Sequence, residues 1–498
     1  MNLKDTLYIR VDGDAMIGAG HVVRSLAVAH AWKAGGGQVH FIGRIESKDL
    51  LAGITGHGFE FTPYHGEYPD TDDCQHLIEI MAEETEITNT WCVLDGYLFD
   101  SDYQDQLKES GCRILVIDDN AHLPEYTADI ILNPNIYAPR LRYHCPLSTE
   151  LLLGTQFVLL RQQFLLHGRP AKQIPDQASK ILITMGGGDF HNVTLKIINA
   201  LKISDYPGVE VKIVIGPANP HRDSVQNELQ DAHFKWEVLG PVDNMAKLMS
   251  WADLAITAGG GTCWELAFMG VPFFLVVTAD NQKRSATGIA DAHAGINMGW
   301  PEDFSAMELA GKIVRLLENP QQRRELSQNG QQLVDGRGVL RLMEWMKPSR
   351  IYLREAVDDD CAFLYRWEED NYSGKSEISY EKYRRFYKDL LDDPAKILFI
   401  AAIENGENVG SIYVEFSGNI AIMTVKTAIG WDKAGLESRM IEKVYREITA
   451  TRDIERIDAY VQKENGRLVK AFVKAGFERG MDMVYKGKKT ILMYSVVK

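Results

Sequence analysis

The sequence predicts an α/β protein in which two doubly wound lobes are followed by a smaller α+β domain. Three observations support this: the length of 498 residues, a repeated alternation of short β-rich runs with amphipathic stretches, and a fresh start of the pattern near residue 350. Because single hydrophobic cores rarely exceed about 250–300 residues, this length predicts about three domains. We place them at residues 1–166, 167–347 and 348–498.

The composition is that of a soluble globular protein, with 45% hydrophobic and 25% charged residues. The net charge of −15 excludes a general nucleic-acid binder but allows an anionic small ligand, held by backbone N–H groups at a helix N-terminus. Six scattered cysteines without a C-x-x-C pair predict reduced thiols. With no signal peptide and no long apolar run, we expect a cytoplasmic protein without membrane partners. The oligomeric state stays open.

A repeated strand–helix alternation predicts the two lobes. In the first lobe we expect a helix at residues 21–34 and strands at residues 7–11, 38–42, 91–94, 113–117 and 130–132. In the second we expect helices at residues 194–201 and 264–269 and strands at residues 180–185, 209–215, 235–239, 254–256 and 273–277. This alternation is typical of parallel sheets, whose ligands bind outside the C-terminal ends of the strands. A polar segment with two prolines, residues 167–177, is the predicted linker.

A glycine-rich turn with a histidine follows the first predicted strand. Gly18 and Gly20 allow the backbone to approach a ligand closely. His21 falls in the first turn of the next helix, where the partial positive charge disfavours imidazolium and leaves a neutral general base. Arg24 shares its helix face and is placed to meet an anionic group, and Asp12 ends the strand at the same opening. The alternative is a tight turn in which His21 is only a capping residue.

Two similar turns occur in the second predicted lobe, at residues 186–189 and 257–265. Each leads from a strand into a helix and offers free N–H groups of the kind that bind a diphosphate. Glu265 lies on the first turn of its helix, as an acceptor for ribose hydroxyls or as a partner of the helix dipole. After the next strand come Asn281 and Gln282, whose amide side chains also lie at a strand's C-terminal end.

In this order the motifs resemble the UDP-2,4-diacetamido-2,4,6-trideoxy-β-L-altropyranose hydrolases of pseudaminic acid biosynthesis. These enzymes belong to the glycosyltransferase-B-like (GT-B) group that includes the MurG-type N-acetylglucosaminyltransferases. The resemblance spans residues 7–342. It rests on Arg10-x-Asp12, Gly18-x-Gly20-His21-x-x-Arg24, Leu94-Asp95-Gly96-Tyr97, Ile117-Asp118-Asp119, Leu152-Leu153-Gly154, Leu160-Arg161, Gly186-Gly187-Gly188-Asp189, residues 259–265 and Asn281-Gln282.

The resemblance implies a role for each matching residue. His21 would activate water against the anomeric carbon, with Asp12 in the catalytic set and in the sugar pocket. UDP is the implied leaving group, and the reaction uses neither a metal nor a cofactor. The implied substrate and UDP contacts are Gly20, Arg24, Tyr97, Asp119, Gly187, Gly188, Gly260, Gly261, Thr262, Glu265, Asn281 and Gln282.

Residues 348–498 resemble the GNAT-type N-acetyltransferases, on four features. They are Tyr352-Leu353-Arg354-Glu355-Ala356 with Asp360, a strand at Val409-Gly410-Ser411-Ile412, a helix from Leu436, and Asn465 followed by Ala471-Phe472-Val473-Lys474-Ala475-Gly476-Phe477. The resemblance implies acetyl-CoA as cofactor, near Gly435, Asn465 and Phe472. Two departures argue against acetyl transfer. Asp432 and Glu437 would place negative charge in the phosphate loop, and Phe472 replaces a tyrosine that often acts as general acid. A non-catalytic module is the alternative.

Two other function classes remain open for the lobes. A glycosyltransferase of the same GT-B architecture would use the same UDP lobe, with a sugar acceptor in place of water and a non-catalytic C-terminal module. A sugar-nucleotide-binding or scaffold protein would have lost the chemistry, but an intact His21 argues against it. The block of Asp12, His21 and Arg24 favours hydrolysis, because its resemblance is to the hydrolases. The fold alone does not choose among these classes.

Overall fold

The computed structural model divides into two compact units. The first is Met1–Cys145 with Thr149–Glu344, and the second is Pro146–Ser148 with Trp345–Lys498. The described residues are 6–13, 20–66, 72–84, 87–88, 90–146, 149–216, 218–240, 242, 244–346, 351–371, 379–403, 406, 408–427 and 436–497. Among the helices in these ranges, none is long and apolar enough to cross a membrane.

Seven parallel strands form the first lobe of the first unit. They are β1 (Thr6–Val11), β2 (Gln38–Gly43), β3 (Glu60–Pro63), β4 (Trp91–Asp95), β5 (Arg113–Ile117), β6 (Ile130–Asn133) and β7 (Glu150–Leu153). Their order is β3-β2-β1-β4-β5-β6-β7. The helices are α1 (Gly20–Ala34), α2 (Lys48–Thr55), α3 (Asp73–Glu84) and α4 (Ser101–Glu109). A fifth helix, α5 (Gln162–His167), follows β7 and packs through Phe164 into the hydrophobic core of the second lobe. The strand order reverses between β1 and β4, so a crevice is expected beyond the C-terminal ends of these strands.

The second lobe has the same topology with six parallel strands. They are β8 (Lys180–Thr184), β9 (Glu210–Val214), β10 (Lys235–Leu239), β11 (Leu254–Ala258), β12 (Phe273–Val276) and β13 (Ile296–Asn297). Their order is β10-β9-β8-β11-β12-β13, with the reversal between β8 and β11. The helices are α6 (Val193–Ser204), α7 (Arg222–Glu228), α8 (Met245–Trp251), α9 (Thr262–Met269), α10 (Lys283–Asp291), α11 (Ala306–Glu318), α12 (Pro320–Leu333) and α13 (Gly338–Trp345). The predicted pair of doubly wound lobes is confirmed.

One charged residue interrupts the buried strand β1. Such strands are continuously apolar because helices cover both faces of a parallel sheet. Arg10 is nevertheless fully buried, and it donates to the carboxylates of Asp73 and Asp12. Its guanidinium also lies over the rings of Tyr64 and Phe99, 5.2 and 5.1 Å from their centroids. These contacts satisfy the buried cation and fix the C-terminal end of β1, where the candidate site begins.

The second unit is a seven-stranded, mainly antiparallel sheet. Its strands are β14 (Ile351–Glu355), β15 (Lys396–Ile403), β16 (Asn408–Ser417), β17 (Ile420–Thr427), β18 (Arg456–Gln462), β19 (Glu478–Tyr485) and β20 (Lys488–Val496). The order is β14-β15-β16-β17-β18-β20-β19, and only β17 and β18 pair in parallel. Its helices are α14 (Cys361–Asn371), α15 (Tyr380–Leu391), α16 (Leu436–Thr451) and α17 (Gly466–Lys474). The predicted α+β sheet domain is present.

Two helical glycines of the first unit give a matched pair for a stability test. A Cβ atom at Gly338, which begins α13, would lie 2.2 Å from the carbonyl oxygen of Val158. A Cβ atom at Gly311, within α11, would meet nothing within 4 Å. We expect Gly338→Ala to lower the free energy of unfolding by about 1–3 kcal/mol through overpacking. Gly311→Ala should raise it by about 0.5–1 kcal/mol through helix propensity. Urea unfolding followed by circular dichroism measures both, and equal midpoints would contradict this packing.

Candidate active site

The first-lobe site gathers around an aspartate that ends β4. Asp95 is fully buried, and its Oδ1 lies 2.6 Å from Nδ1 of His21 on the first turn of α1. Ser25 Oγ donates to Asp95 Oδ2 over 3.0 Å. Burial alone would raise the pKa of Asp95, but Arg24 and His21 outweigh it and lower this pKa to about 2. Asp95 is therefore ionised at neutral pH.

The ionised Asp95 determines the tautomer of His21. A carboxylate can only accept, so Nδ1 of His21 must carry the proton and donate it to Asp95. In neutral imidazole this leaves Nε2 as an acceptor. None of the residues that the structure describes forms a hydrogen bond with Nε2. The arrangement is that of a general base oriented by a buried carboxylate.

Arg24 joins two carboxylates. Its Nε and Nη2 donate to Asp95 over 2.8 and 2.6 Å, and its Nη1 donates to both oxygens of Asp119 over 3.0 and 2.9 Å. Burial would lower the pKa of Arg24, but Asp119 and Asp95 outweigh it and hold this pKa well above its usual value. The anionic groups that Arg24 meets are thus carboxylates of the protein itself.

Asp119 connects Arg24 to the opening of the site. Tyr97 is 40% exposed, donates from its hydroxyl to Asp119 Oδ2 over 3.0 Å, and turns its ring edge-on to His21 at 5.2 Å. Asn135 donates from Nδ2 to Asp119 Oδ1 over 2.8 Å. Burial would raise the pKa of Asp119, but Arg24 lowers it below the usual value. Of the residues predicted from the sequence, His21, Arg24, Tyr97 and Asp119 therefore come together.

Asp12 lies directly after the C-terminal end of β1, as the sequence predicted, and binds two neighbouring residues. It is buried, lies 2.6 Å from Arg10 Nη1, and accepts from the backbone N–H of Arg44 over 2.7 Å. These contacts tie the end of β1 to the segment after β2. The predicted catalytic part of Asp12 stays a prediction. Gly20 begins α1 beside His21, whereas Gly18 lies outside the described residues.

The two glycine turns of the second lobe differ in their free amides. After β8, Asp189 accepts from the N–H groups of Val193 and Thr194 over 2.7 and 3.0 Å and so caps α6 with its own carboxylate. The expectation of free N–H groups at this helix is therefore wrong for these two residues. Gly187 and Gly188 lie in the turn itself, and a Cβ atom at Gly216 would stand 2.4 Å from the carbonyl oxygen of Gly187.

The turn after β11 leaves its amides open. Gly261 is the N-cap residue that precedes α9, and it provides no side-chain hydrogen bond to cap the helix. Within the described part of the chain, no acceptor meets the backbone N–H groups of Gly260, Gly261 and Thr262. Clustered N–H groups at a helix N-terminus, together with the helix dipole, favour an anion. Gln282 folds over this turn, because a Cβ atom at Gly259 would meet its side chain at 3.2 Å.

Glu265 on the first turn of α9 has a partner that the sequence did not indicate. Arg161 donates to its two oxygens from Nε and Nη2 over 2.6 and 2.8 Å. Burial would lower the pKa of Arg161, but Glu265 raises it. This bidentate pair orients the carboxylate, and each oxygen keeps a lone pair for a further donor. Its predicted contact with ribose stays a prediction.

The two lobes touch at the candidate site. Burial raises the pKa of Tyr97, and Asn281 of the second lobe acts on its hydroxyl in the opposite direction. Ser285 Oγ on α10 donates to Asn135 Oδ1 over 3.1 Å. Asp95, Asn135, Arg161 and Ser285 were not among the predicted site residues. For Asp95 and Arg161 the available signal was their place inside the motifs that carry the resemblance.

In the second unit, Glu437 occupies the first turn of α16. It is buried and lies 2.7 Å from Nη2 of Arg467. Asn465 caps α17 by accepting from the backbone N–H of Leu468 over 3.1 Å. Phe472 is buried in the core, with its ring edge-on to Phe477 at 5.0 Å. Asp432 and Gly435 lie outside the described residues. Among the described residues, no three or more His, Cys, Asp or Glu side chains form a group that could hold a metal ion.

Comparison with known proteins places relatives along the first unit. Residues 171–337 match the family model of the glycosyltransferase family 28 C-terminal domain. The spore coat polysaccharide biosynthesis protein SpsG of Bacillus subtilis is 25% identical over 236 residues, 47% of this chain and 69% of that protein. The UDP-2,4-diacetamido-2,4,6-trideoxy-β-L-altropyranose hydrolase of Campylobacter jejuni is 25% identical over 284 residues, 56% of this chain and 94% of that enzyme.

Solved structures support the fold of the lobes. MurG of Acinetobacter baumannii aligns with a TM-score of 0.50 at 17% identity, covering 69% of this chain and 99% of MurG. The chain therefore has a MurG-like two-lobed fold and similarity, at low identity, to the pseudaminic-pathway hydrolase. A chimera of spermidine N-acetyltransferase SpeG from Vibrio cholerae and hSSAT aligns with 30% of this chain at a TM-score of 0.27, which is too low to support an argument about the second unit.

The pKa of Asp95 gives a pH-dependent stability prediction. Because this pKa falls from 3.8 to about 2 on folding, the ionised carboxylate stabilises the fold above about pH 4, and that stability is lost as the pH falls through about 2. We expect Asp95→Asn to lower the free energy of unfolding by roughly 2 kcal/mol at neutral pH. Its stability should also fall less steeply between these pH values. Urea unfolding across pH measures this, with the exposed Asp102→Asn as control. Parallel curves for Asp95→Asn and the unmodified protein would contradict the pairing.

Proposed function

We propose that the first unit hydrolyses a UDP-linked diacetamido-trideoxy-hexose to the free sugar and UDP, as in pseudaminic acid-type nonulosonate biosynthesis. The observation that carries this proposal is the His21–Asp95 pair, in which Nδ1 is bound to a buried carboxylate and Nε2 has no hydrogen-bond partner among the described residues. The similarity to the Campylobacter jejuni hydrolase over 94% of that enzyme supports it. We also propose that the reaction takes place in the cytoplasm.

In the proposed reaction, water attacks the anomeric carbon and gives a proton to Nε2 of His21. A new bond forms between the anomeric carbon and the water oxygen, while the bond from that carbon to the UDP oxygen breaks. Asp95 stabilises the imidazolium that results. The open amides of Gly260, Gly261 and Thr262 suit the diphosphate leaving group. Tyr97, which is 40% exposed, and Asn281 of the second lobe are the proposed sugar contacts.

UDP is assigned to the second lobe. Glu265 would accept from ribose hydroxyls while Arg161 holds it in place. Gly187, Gly188 and Gln282 would line the same crevice. No step requires a metal or a cofactor.

A glycosyltransferase reaction is the second candidate for the same unit. The match of residues 171–337 to the glycosyltransferase family 28 C-terminal domain favours it. In that case a sugar hydroxyl would replace water and give its proton to His21. UDP release from a UDP-diacetamido sugar in water alone distinguishes hydrolysis, because a transferase needs the added acceptor.

Replacement of His21 tests the general base. We expect His21→Gln to reduce UDP release from a UDP-diacetamido sugar by about 10²–10⁴-fold, the usual contribution of a general base. UDP affinity measured by calorimetry should be unchanged, because His21 lies in the other lobe from the proposed nucleotide contacts. The exposed His144→Gln in the same lobe is the control. Near-normal UDP release by His21→Gln would remove His21 from this role.

The second unit is assigned to a GNAT-type fold whose usual CoA-phosphate site is closed. Glu437 places a buried carboxylate on the first turn of α16, where phosphate would otherwise meet free N–H groups. Its partner Arg467 also donates to Thr427 Oγ1 at the end of β17 over 3.3 Å. Among the described residues around Glu437, the cation Arg467 is thus already paired with the protein. Phe472 offers no proton.

Acetyl-CoA binding tests this assignment. We expect the full-length protein to show no calorimetric binding at micromolar acetyl-CoA. Glu437→Ala should gain measurable affinity, because it removes a buried negative charge from the first turn of α16 together with its ion pair to Arg467. Glu464→Ala, an exposed residue before α17, is the control. Micromolar binding by the unmodified protein, with acetyl transfer to an amino-sugar nucleotide, would make the protein bifunctional and overturn the assignment.

A further inference from the structure

We propose that Asn135 and Ser285 are positioning residues through which the second lobe aligns the catalytic base of the first. This inference rests on the proposed role of His21 and extends it to two residues that no sequence motif selected. Asn135 follows β6 in the first lobe, and Ser285 lies on the first turn of α10 in the second. They are 150 positions apart in the sequence and 3.1 Å apart in their hydrogen bond.

The amide of Asn135 can adopt only one orientation. Its Nδ2 donates to Asp119 Oδ1 over 2.8 Å and to Asn133 Oδ1 over 2.9 Å, and its Oδ1 accepts from Ser285. A flipped amide would set its oxygen against two acceptors. Ser285 is therefore the donor for the side-chain oxygen of Asn135. Without it, a largely buried carbonyl oxygen would lose its partner.

A rigid chain of contacts leads from Asn135 to the base. Asp119 binds Nη1 of Arg24, and the other side of the same guanidinium binds Asp95. Asp95 in turn orients His21. Since the guanidinium is a planar fork with fixed directions, a shift of Asp119 turns Arg24 and moves the Asp95 contact with it.

A second side chain of the first lobe binds the same carboxylate. Tyr97 donates from its hydroxyl to Asp119 Oδ2 over 3.0 Å. Burial raises the pKa of Tyr97, and Asn281 of the second lobe opposes this rise. The hydrogen bonds that link Asp119 to the second lobe run through Asn135 and Ser285. The lobes are also closely packed here, because a Cβ atom at Gly288 would lie 2.4 Å from Ile136 Cγ2.

Ser285 also lies close in sequence to the proposed nucleotide turn. Gln282, which covers Gly259, directly precedes α10, and Ser285 is one helical turn further on. The beginning of α10 therefore lies next to the turn proposed for the diphosphate and also contacts Asn135, whose amide binds Asp119. A second lobe that is not docked against the first would leave the general base without this support.

Turnover by Ser285→Ala tests the coupling. We expect kcat for UDP release to fall about tenfold, because displacement of a catalytic group by about 1 Å can cost up to about 10²-fold. KM and the calorimetric affinity for UDP should be unchanged. Ser285→Thr keeps the hydroxyl and should recover most of kcat. Ser327→Ala, which removes a hydroxyl equally buried on α12 of the same lobe, should behave as the unmodified protein.

The state of His21 gives a readout that does not depend on turnover. In protein labelled with ¹⁵N-histidine, the His21 ring signals are assigned by their loss in His21→Gln. We expect Ser285→Ala and Asn135→Ala to shift or broaden the Nδ1 signal, and Ser327→Ala to leave it unchanged. Unchanged His21 signals together with normal kcat in folded Ser285→Ala would overturn the positioning role. If the unmodified protein releases no UDP but the signals still shift, the proposed hydrolysis fails and the positioning role stands.

Discussion

The first unit depends on one buried carboxylate, that of Asp95, and on the hydrogen-bond donors that surround it. Asp95 ends a strand that is buried along its whole length, and an unpaired charge there would cost several kcal/mol. His21, Arg24 and Ser25 all come from α1, so a single anion fastens that helix across the point where the strand order reverses. The contacts that offset the burial of Asp95 also orient the imidazole of His21. The same contacts therefore serve both the stability of the fold and the proposed chemistry.

The sequence predicted the lobe strands that are long or lie inside a sheet. The five strands expected in each lobe are present to within two residues at either end. Three lobe strands were not predicted: β3, β7 and β13 have four, four and two residues and each lies at an edge of its sheet, where the run is both short and only partly buried. His21, Arg24, Tyr97 and Asp119 were predicted and do converge. The sequence could not show that Asp95 joins them, because strand order, not spacing, brings residues 74 positions apart into contact.

Two turns of similar sequence have different electrostatics, and one side chain makes the difference. Both follow a strand and contain three consecutive glycines. In one, Asp189 supplies the negative charge and occupies the first amides of α6. In the other, residue 262 is a threonine, and none of the described residues accepts from the amides of Gly260, Gly261 and Thr262. A motif search scores these turns alike, whereas the capping carboxylate leaves only the second with the positive end of a helix exposed.

The long sequence separations in the candidate site have a consequence for folding. His21 and Asp95 are 74 positions apart, and Asn135 and Ser285 are 150 apart. Contacts of such high contact order carry a large loop-closure entropy and form slowly. β1 and β4 must pair before His21 can reach Asp95, and α10 must pack against the first lobe before Ser285 can reach Asn135. The aligned imidazole therefore depends on two contacts that are distant in sequence, each with its own loop-closure cost.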